Sequence, residues 1–271
     1  MELRERRAWA RLWPLYDGLD RHLAPQAVLA GAEPGRVWAD DPGAPQSACV
    51  QAGRRVYVGG APAEGELRAA LRAHLHAATA HQPLVLYEAG AAEAALLTPP
   101  LAGRRVERLR RQHYTLNIGE AEPRATGHVP PLPPGMVLRP VDRTLLAETH
   151  LGHLDALRAE LVSECPSVEF FLAHRFGVCL VGTTEVVAWC LAEHTVGDRC
   201  EVGIETRPAY RRRGWATVVA QAWVDAAAAR GVIQVGWHCY ADNAGSIATA
   251  RKVGFQPEGE YEVCVVRPAP A

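Results

Sequence analysis

The chain has 271 residues, 48% of them hydrophobic and 22% charged, with a formal net charge of -1. That is the composition of a folded protein with one large or two ordinary domains, and it carries no basic field that would meet a nucleic acid or a membrane surface. No apolar run is long enough to cross a bilayer, and Met1-Glu2-Leu3-Arg4-Glu5-Arg6-Arg7 leads into Trp9 and Leu12 as a helix opening, without the apolar core of a signal peptide.

In the first half, Leu3, Trp9, Leu12, Trp13, Leu15, Tyr16 and Leu19 recur at helical spacing. Ser47 to Gln51 and Arg54 to Gly59 read as a hairpin turning at Ala52-Gly53. Glu64 to Ala80 reads as an Ala- and Leu-rich helix, Leu84 to Tyr87 as a short buried strand, and Arg105 to Asn117 as a strand. The stretch Pro130-Pro131-Leu132-Pro133-Pro134-Gly135 can continue neither a helix nor a central strand, so a domain boundary is expected there: 1–130, then 131–271.

The second half opens with a strand at Met136 to Pro140 and a helix from Leu145 to Glu164. Ser167 is placed to cap a short helix carrying Phe170 and Phe171. Strands follow at Gly177 to Val181, Val186 to Glu193 and Arg199 to Thr206. A helix from Gly214 to Arg230 closes at Gly231, a strand spans Val232 to Tyr240, a helix Asn243 to Val253, and a last strand Tyr261 to Val266. This order describes a mixed, mostly antiparallel sheet with flanking helices, an α/β domain preceded by a smaller α/β domain. The seven scattered cysteines form no Cys-x-x-Cys pair and read as reduced, buried thiols of a cytoplasmic protein.

The chemistry is concentrated in Glu201-Val202-Gly203-Ile204-Glu205-Thr206-Arg207-Pro208-Ala209-Tyr210-Arg211-Arg212-Arg213-Gly214-Trp215-Ala216-Thr217. A strand runs through a cationic loop into a helix that starts on small residues. Amides at a helix N-terminus have no intrahelical partners and carry the positive end of the dipole. Gly214 and Ala216 leave that backbone open to a phosphate, and Arg207, Arg211, Arg212 and Arg213 add cations for further phosphates. A solvated charge run would show the same arginines, but not between a strand and Gly214.

Arg211, Gly214 and Ala216 resemble the Gln/Arg-x-x-Gly-x-Gly/Ala mark of the GNAT acetyltransferase superfamily. Asn243-Ala244-Gly245-Ser246 and Lys252-Val253-Gly254-Phe255 resemble that family's later motifs, in the same order. Ser167 to Phe171, Phe176-Gly177, Glu201 to Thr206 and Trp237-His238-Cys239 resemble a GNAT subfamily with an extra N-terminal domain, which includes a zwittermicin A resistance acetyltransferase; the first half matches it only in length and layout and leaves a degenerate GNAT-like half open.

The resemblance implies acetyl-CoA as co-substrate. Ile204, Glu205 and Thr206 would pair with the pantetheine arm, and Arg211, Arg212, Arg213, Gly214, Trp215, Ala216 and Thr217 would hold the pyrophosphate. Asn243 and Ser246 would stand on the other side, where two parallel strands splay. Gly203 fits a bulge in its strand that would free an amide for an oxyanion.

One departure matters: where most relatives carry the Tyr that protonates the leaving thiolate, this chain has Ala250. Acid–base work then falls on Glu201, Glu205, His238 or Tyr240. The two glutamates, four apart on a strand, project from one face, opposite the apolar face of Val202 and Ile204; they read either as bases or as a solvated face. His238 and Tyr240 read either as proton carriers or as structural residues. Cys239 has no partner that would make it a nucleophile, and His74, His76, His150 and His153 lack the further ligands of a zinc site, so no metal is expected. The expected activity is N-acetyl transfer to the amine of a small molecule, with a homodimer left open. The alternative is a silent acyl-CoA-binding or sensor protein.

Overall fold

The chain divides into two units, Met1–Arg111 with Tyr261–Ala271, and Gln112–Glu260. The computed structural model describes residues 1–3, 6–60, 65–80, 82–88, 96–97, 101–119 and 131–269. Ala61, Pro62, Glu64 and Pro130 lie outside these. The division falls inside a strand, β5 (Arg104–Asn117), rather than at the Pro-rich stretch, because that strand and the last one, β11 (Gln256–Pro268), each give one end to either unit.

The first unit opens with a 3₁₀ helix, Arg6–Leu19, where the spacing suggests an α-helix. Pro14 inside it has no N–H to give to an α-helical ladder. Helix α1 (Leu23–Leu29) and strand β1 (Arg36–Ala39) add to the elements expected from sequence. Strands β2 (Ser47–Ala52) and β3 (Arg55–Gly60) form the expected hairpin, turning at Gly53 with φ +55°. Helix α2 (Glu66–Ala78) buries Leu67, Leu71 and Leu75, one stripe at four-residue spacing, and leads to β4 (Leu84–Glu88). That strand runs parallel to β3, from Val85 opposite Arg55 to Glu88 opposite Val58, and antiparallel to β11. Two apolar clusters fill the unit; one holds Leu12, Val28, Val50 and Tyr57, the other Val58, Leu71, Leu75 and Leu86.

In the second unit β5 is followed by β6 (Val137–Pro140) and then two helices, α3 (Arg143–Leu146) and α4 (Leu154–Ser163), in place of one long helix. The break has a backbone cause. Gly152 exchanges hydrogen bonds with the turn at 184–186, and His153 has φ +65°, outside any helix. Helix α5 (Val168–His174) is capped by Ser167, whose Oγ accepts from the Phe170 amide at 3.1 Å. Strands β7 (Gly177–Val181), β8 (Val186–Val196) and β9 (Arg199–Thr206) form a meander with β6, antiparallel throughout. Helix α6 (Trp215–Ala228) then returns the chain to β10 (Gln234–Tyr240), parallel to β9, and α7 (Ala244–Val253) leads into β11.

The result is the mixed, mostly antiparallel sheet with flanking helices expected from the sequence. The β3–α2–β4 path of the first unit has the same order and parallel return as β9–α6–β10. Helix α6 buries Trp215, Val218, Val219, Trp223 and Ala227 against the face of the sheet carrying Cys190, Ala192, Cys200 and Val202. Trp223 is fully buried, and truncating it to Ala would cost about 3–5 kcal/mol. On the other face α4 and α5 cover Trp189 and Leu191 of β8.

Candidate active site

The site begins where β9 and β10 part. Their register runs from Gln234 opposite Arg199 to Trp237 opposite Val202 and stops there, while β9 continues to Thr206 and β10 to Tyr240. Past that point the backbone groups on the facing edges of the two strands are not bonded to each other, so an extended chain has a place to pair.

Beyond the end of β9 the chain turns at Pro208–Tyr210 and enters α6. Arg212 has φ +62° and Gly214 +84°, the left-handed region in which glycine is at ease. No side chain caps α6, whereas Asn243, Ser167 and Asp142 cap their own helices. Its first intrahelical bond is Val218 N–H to Gly214 O, so the amides of Trp215, Ala216 and Thr217 point out of the helix end.

A cavity of about 690 Å³ opens there, lined by Ile204, Glu205, Thr206, Arg211, Arg212, Gly214, Trp215, Ala216, Thr217, Asn243 and Ser246. The sequence motifs point to each of these. The twelfth expected residue, Arg213, turns instead to the ring of Tyr210, 5.7 Å from its centroid. Tyr210, Gly245, Ala248, Thr249 and Lys252 also line the cavity and were not foreseen. The helical spacing of Gly245, Ala248, Thr249 and Lys252 was the available signal, since it puts them on the face of α7 that carries Ser246.

Local bonds hold the lining in place. Arg211 Nε donates to the Thr206 carbonyl at 3.0 Å, and its guanidinium stands 3.6 Å from Glu205. Tyr210 Oη donates to Glu185 Oε1 at 2.6 Å, and that bond to a carboxylate pushes the phenol pKa up. Asn243 Oδ1 accepts from the Ser246 amide at 3.0 Å, while Ser246 Oγ accepts from Trp237 Nε1 at 2.9 Å. The Asn-x-x-Ser motif is thus a helix cap tied to the core, and the Nδ2 of Asn243 is what it can offer a ligand. The residues fit coenzyme A: helix-end amides and arginines suit a pyrophosphate, and Thr206 Oγ1 and Trp215 Nε1 are buried polar atoms of the lining without a hydrogen-bond partner among the described residues.

Strand alternation puts Glu201, Gly203 and Glu205 on the sheet face opposite α6. They do not share one environment. Glu201 is buried, its side chain 1% exposed, with Oε1 3.8 Å from Nε2 of His238, itself 5% exposed. His113 of β5 stacks on His238, the rings 4.3 Å apart and nearly parallel. Glu205 is 38% exposed and faces Arg211. The reading of both glutamates as one solvated strand face is therefore corrected for Glu201, because β10 and β5 cover it. Tyr240 is exposed at the end of β10.

The bulge expected at Gly203 lies instead in the neighbouring strand. Ala192 is opposite Val202 and His194 opposite Glu201, so the extra residue is Glu193. Ala250 is fully buried in the core, and Thr249 and Lys252 face the cavity beside it. The four histidines weighed as metal half-sites have other engagements: His74 with Gln51, His76 with the Ala102 carbonyl, His153 with Glu185 at 2.8 Å and His150 beside Glu148 at 3.7 Å.

A family model described as GNAT acetyltransferase matches residues 14–264. The chain belongs to that family. Over 133 residues it is 30% identical to the uncharacterized N-acetyltransferase YdfB of Bacillus subtilis, a match spanning 49% of each protein, so the chain covers about half the length of that relative. Two solved structures share the GNAT fold across nearly the whole chain. One is a GCN5-related N-acetyltransferase-like protein from Streptococcus suis (TM-score 0.71, 21% identity, 96% of this chain and 99% of that one). The other is a tandem GNAT protein from the clavulanic acid biosynthesis pathway (TM-score 0.62, 16% identity, 98% and 95%), whose layout fits the two units here. Among the described residues no helix is long and apolar enough to cross a membrane.

Proposed function

We infer that the second unit transfers an acetyl group from acetyl-CoA to the amine of a small molecule, by direct attack of the amine on the thioester. The observation that carries this reading is the alignment of an uncapped helix end at Trp215–Thr217 with strands β9 and β10, which part just beyond Val202 and Trp237. In it, the amides of α6 with Arg211 and Arg212 hold the pyrophosphate, Ile204 to Thr206 pair with the arm, and Asn243 meets the arm from α7. Acetyl-CoA supplies the activated acyl group. The chain's own residues orient it and handle protons.

Glu201 and His238 are the better placed pair for the proton that the amine must lose. They are buried together, Glu201 two residues before Gly203 in β9 and His238 two residues before the end of β10, whereas Glu205 already faces Arg211 and Tyr240 is exposed. With Ala250 in the core, the departing thiolate takes its proton from solvent or from the attacking nitrogen. The motif resemblance to a subfamily containing a zwittermicin A resistance enzyme supports a small-molecule acceptor, in a cytoplasmic setting.

A silent acyl-CoA binder remains the second reading, on the single observation that no side chain at position 250 reaches the cavity. Thiol release from acetyl-CoA with a panel of amines, run beside calorimetric CoA binding, separates the two. Acetylated product by mass spectrometry supports transfer; tight binding without turnover on any amine supports the binder.

A further inference from the structure

Glu193 is the extra residue of the β8 bulge, and its side chain is aimed by that bulge across β9. An ideal Cβ built on Gly203 would overlap Oε1 of Glu193, so the absence of a side chain at 203 is what lets the carboxylate lie there. Gly203 is also the first residue of β9 past its pairing with β10, as His238 is the first of β10. Glycine therefore seats the Glu193 carboxylate against β9, close to the level where β9 and β10 part. A niche of about 10 Å³, lined in part by Leu161, Phe171, Arg175, Leu191, Glu193 and Gly203, reaches the carboxylate. That is room for about one water-sized group, which is the size of an ammonium head and not of a whole substrate. Glu160 and Glu164 border the same niche, so its charged lining is three carboxylates against one guanidinium.

We propose that Glu193 receives the acceptor, docking the reacting amine as an ammonium ion beside Gly203, and that this makes the enzyme select basic aliphatic amines over weakly basic aromatic ones. The proposal rests on the acetyltransferase reading above. A hydrogen bond to a charged partner in a shielded place is worth a factor of about 10 to 100 in binding, and a neutral arylamine gains little of it. Glu193 binds and orients; the proton leaves the docked amine toward the Glu201–His238 side before the nitrogen attacks.

The test compares wild type, Glu193→Gln, Glu193→Asp and Gly203→Ala, each checked for an unchanged circular dichroism spectrum. Turnover of acetyl-CoA is measured with cadaverine and with aniline, and cadaverine binding to the CoA-loaded protein by calorimetry. Glu193→Gln should lose about 10- to 100-fold in kcat/KM and in affinity for cadaverine while changing less than about threefold on aniline. Glu193→Asp should recover part of the loss, and Gly203→Ala, which pushes the carboxylate aside, should reproduce the selective loss. Equal losses on both amines, or unaltered cadaverine binding in Glu193→Gln, would overturn the assignment. If wild type turns over neither amine, the wider amine panel decides the acetyltransferase reading, and calorimetry still decides on Glu193: loss of cadaverine binding in the Gln variant supports docking, and no binding by wild type, or equal binding, refutes it.

Discussion

The Nε2 of His238 stands 3.8 Å from Oε1 of Glu201, both side chains are buried, and neither residue's motif context announces the pair. A carboxylate beside an imidazole fixes the ring's orientation. If this pair takes the amine's proton, Glu201→Gln and His238→Ala should each lower kcat by about 10²–10⁴-fold, the usual share of general acid–base groups. Glu205→Gln and Tyr240→Phe should stay within a few-fold. Steady-state kinetics on the true acceptor checks this; four near-wild-type variants would leave positioning and solvent to carry the reaction.

The cradle is best probed by charge. Gly214 is a poor place for a bulky substitution, since at φ +84° any β-branched residue strains the backbone and confuses binding with folding. Ala216→Glu avoids this. A carboxylate in the first turn favours the helix dipole by about 0.3–1 kcal/mol, so the fold holds or gains, yet it meets the pyrophosphate with like charge. Calorimetry should show acetyl-CoA affinity falling by about tenfold or more with no loss of thermal stability. Unaltered affinity would contradict the assignment of Trp215–Thr217.

Much of the second unit was legible because its elements obey local rules. The stripe Trp215, Val218, Val219, Trp223 marks α6, Ser167 and Asn243 cap where caps are expected, and the strand–arginine–glycine order marks the cradle. What was hidden depends on the sheet. Glu201 looks solvated until β10 and β5 are laid beside it, and Gly203 suggests a bulge whose extra residue is Glu193 in the adjacent strand. The helix break at Gly152–His153 is fixed by tertiary hydrogen bonds to residues 184–186, and its only local sign is Gly152. Strands β5 and β11 are each divided between units, so no composition shift marks the border.

One coenzyme should bind per chain. In the first unit β3 and β4 are paired from Arg55 and Val85 to Val58 and Glu88, and Tyr57 stacks on Tyr87 at 4.6 Å across that pair. The lead-in to its helix α2, Gly59-Gly60-Ala61-Pro62-Ala63-Glu64-Gly65, carries no arginines comparable to Arg211 and Arg212. Calorimetric titration should end at one equivalent; two equivalents would give the first unit a working cradle of its own.

The thiols should be silent in the native state. All seven cysteines are buried; burial pushes the pKa of Cys49 and Cys190 up strongly, and those of Cys179 and Cys200 up to about 12. A raised thiol pKa keeps the neutral form dominant, so at pH 8 the thiolate fraction at a pKa near 12 is only about one in 10⁴. A disulfide reagent should label the folded protein slowly and all seven cysteines after denaturation. Rapid stoichiometric labelling of the native protein would contradict the burial, whereas its absence leaves thiol-release assays free of background.

The most direct measurement is a crystal structure of the protein with coenzyme A. The account predicts the pyrophosphate on the amides of Trp215, Ala216 and Thr217 beside Arg211 and Arg212, with the arm between β9 at Ile204–Thr206 and β10, and the sulfur near Gly203 and His238. Coenzyme A bound elsewhere, or a pyrophosphate away from the start of α6, would contradict it.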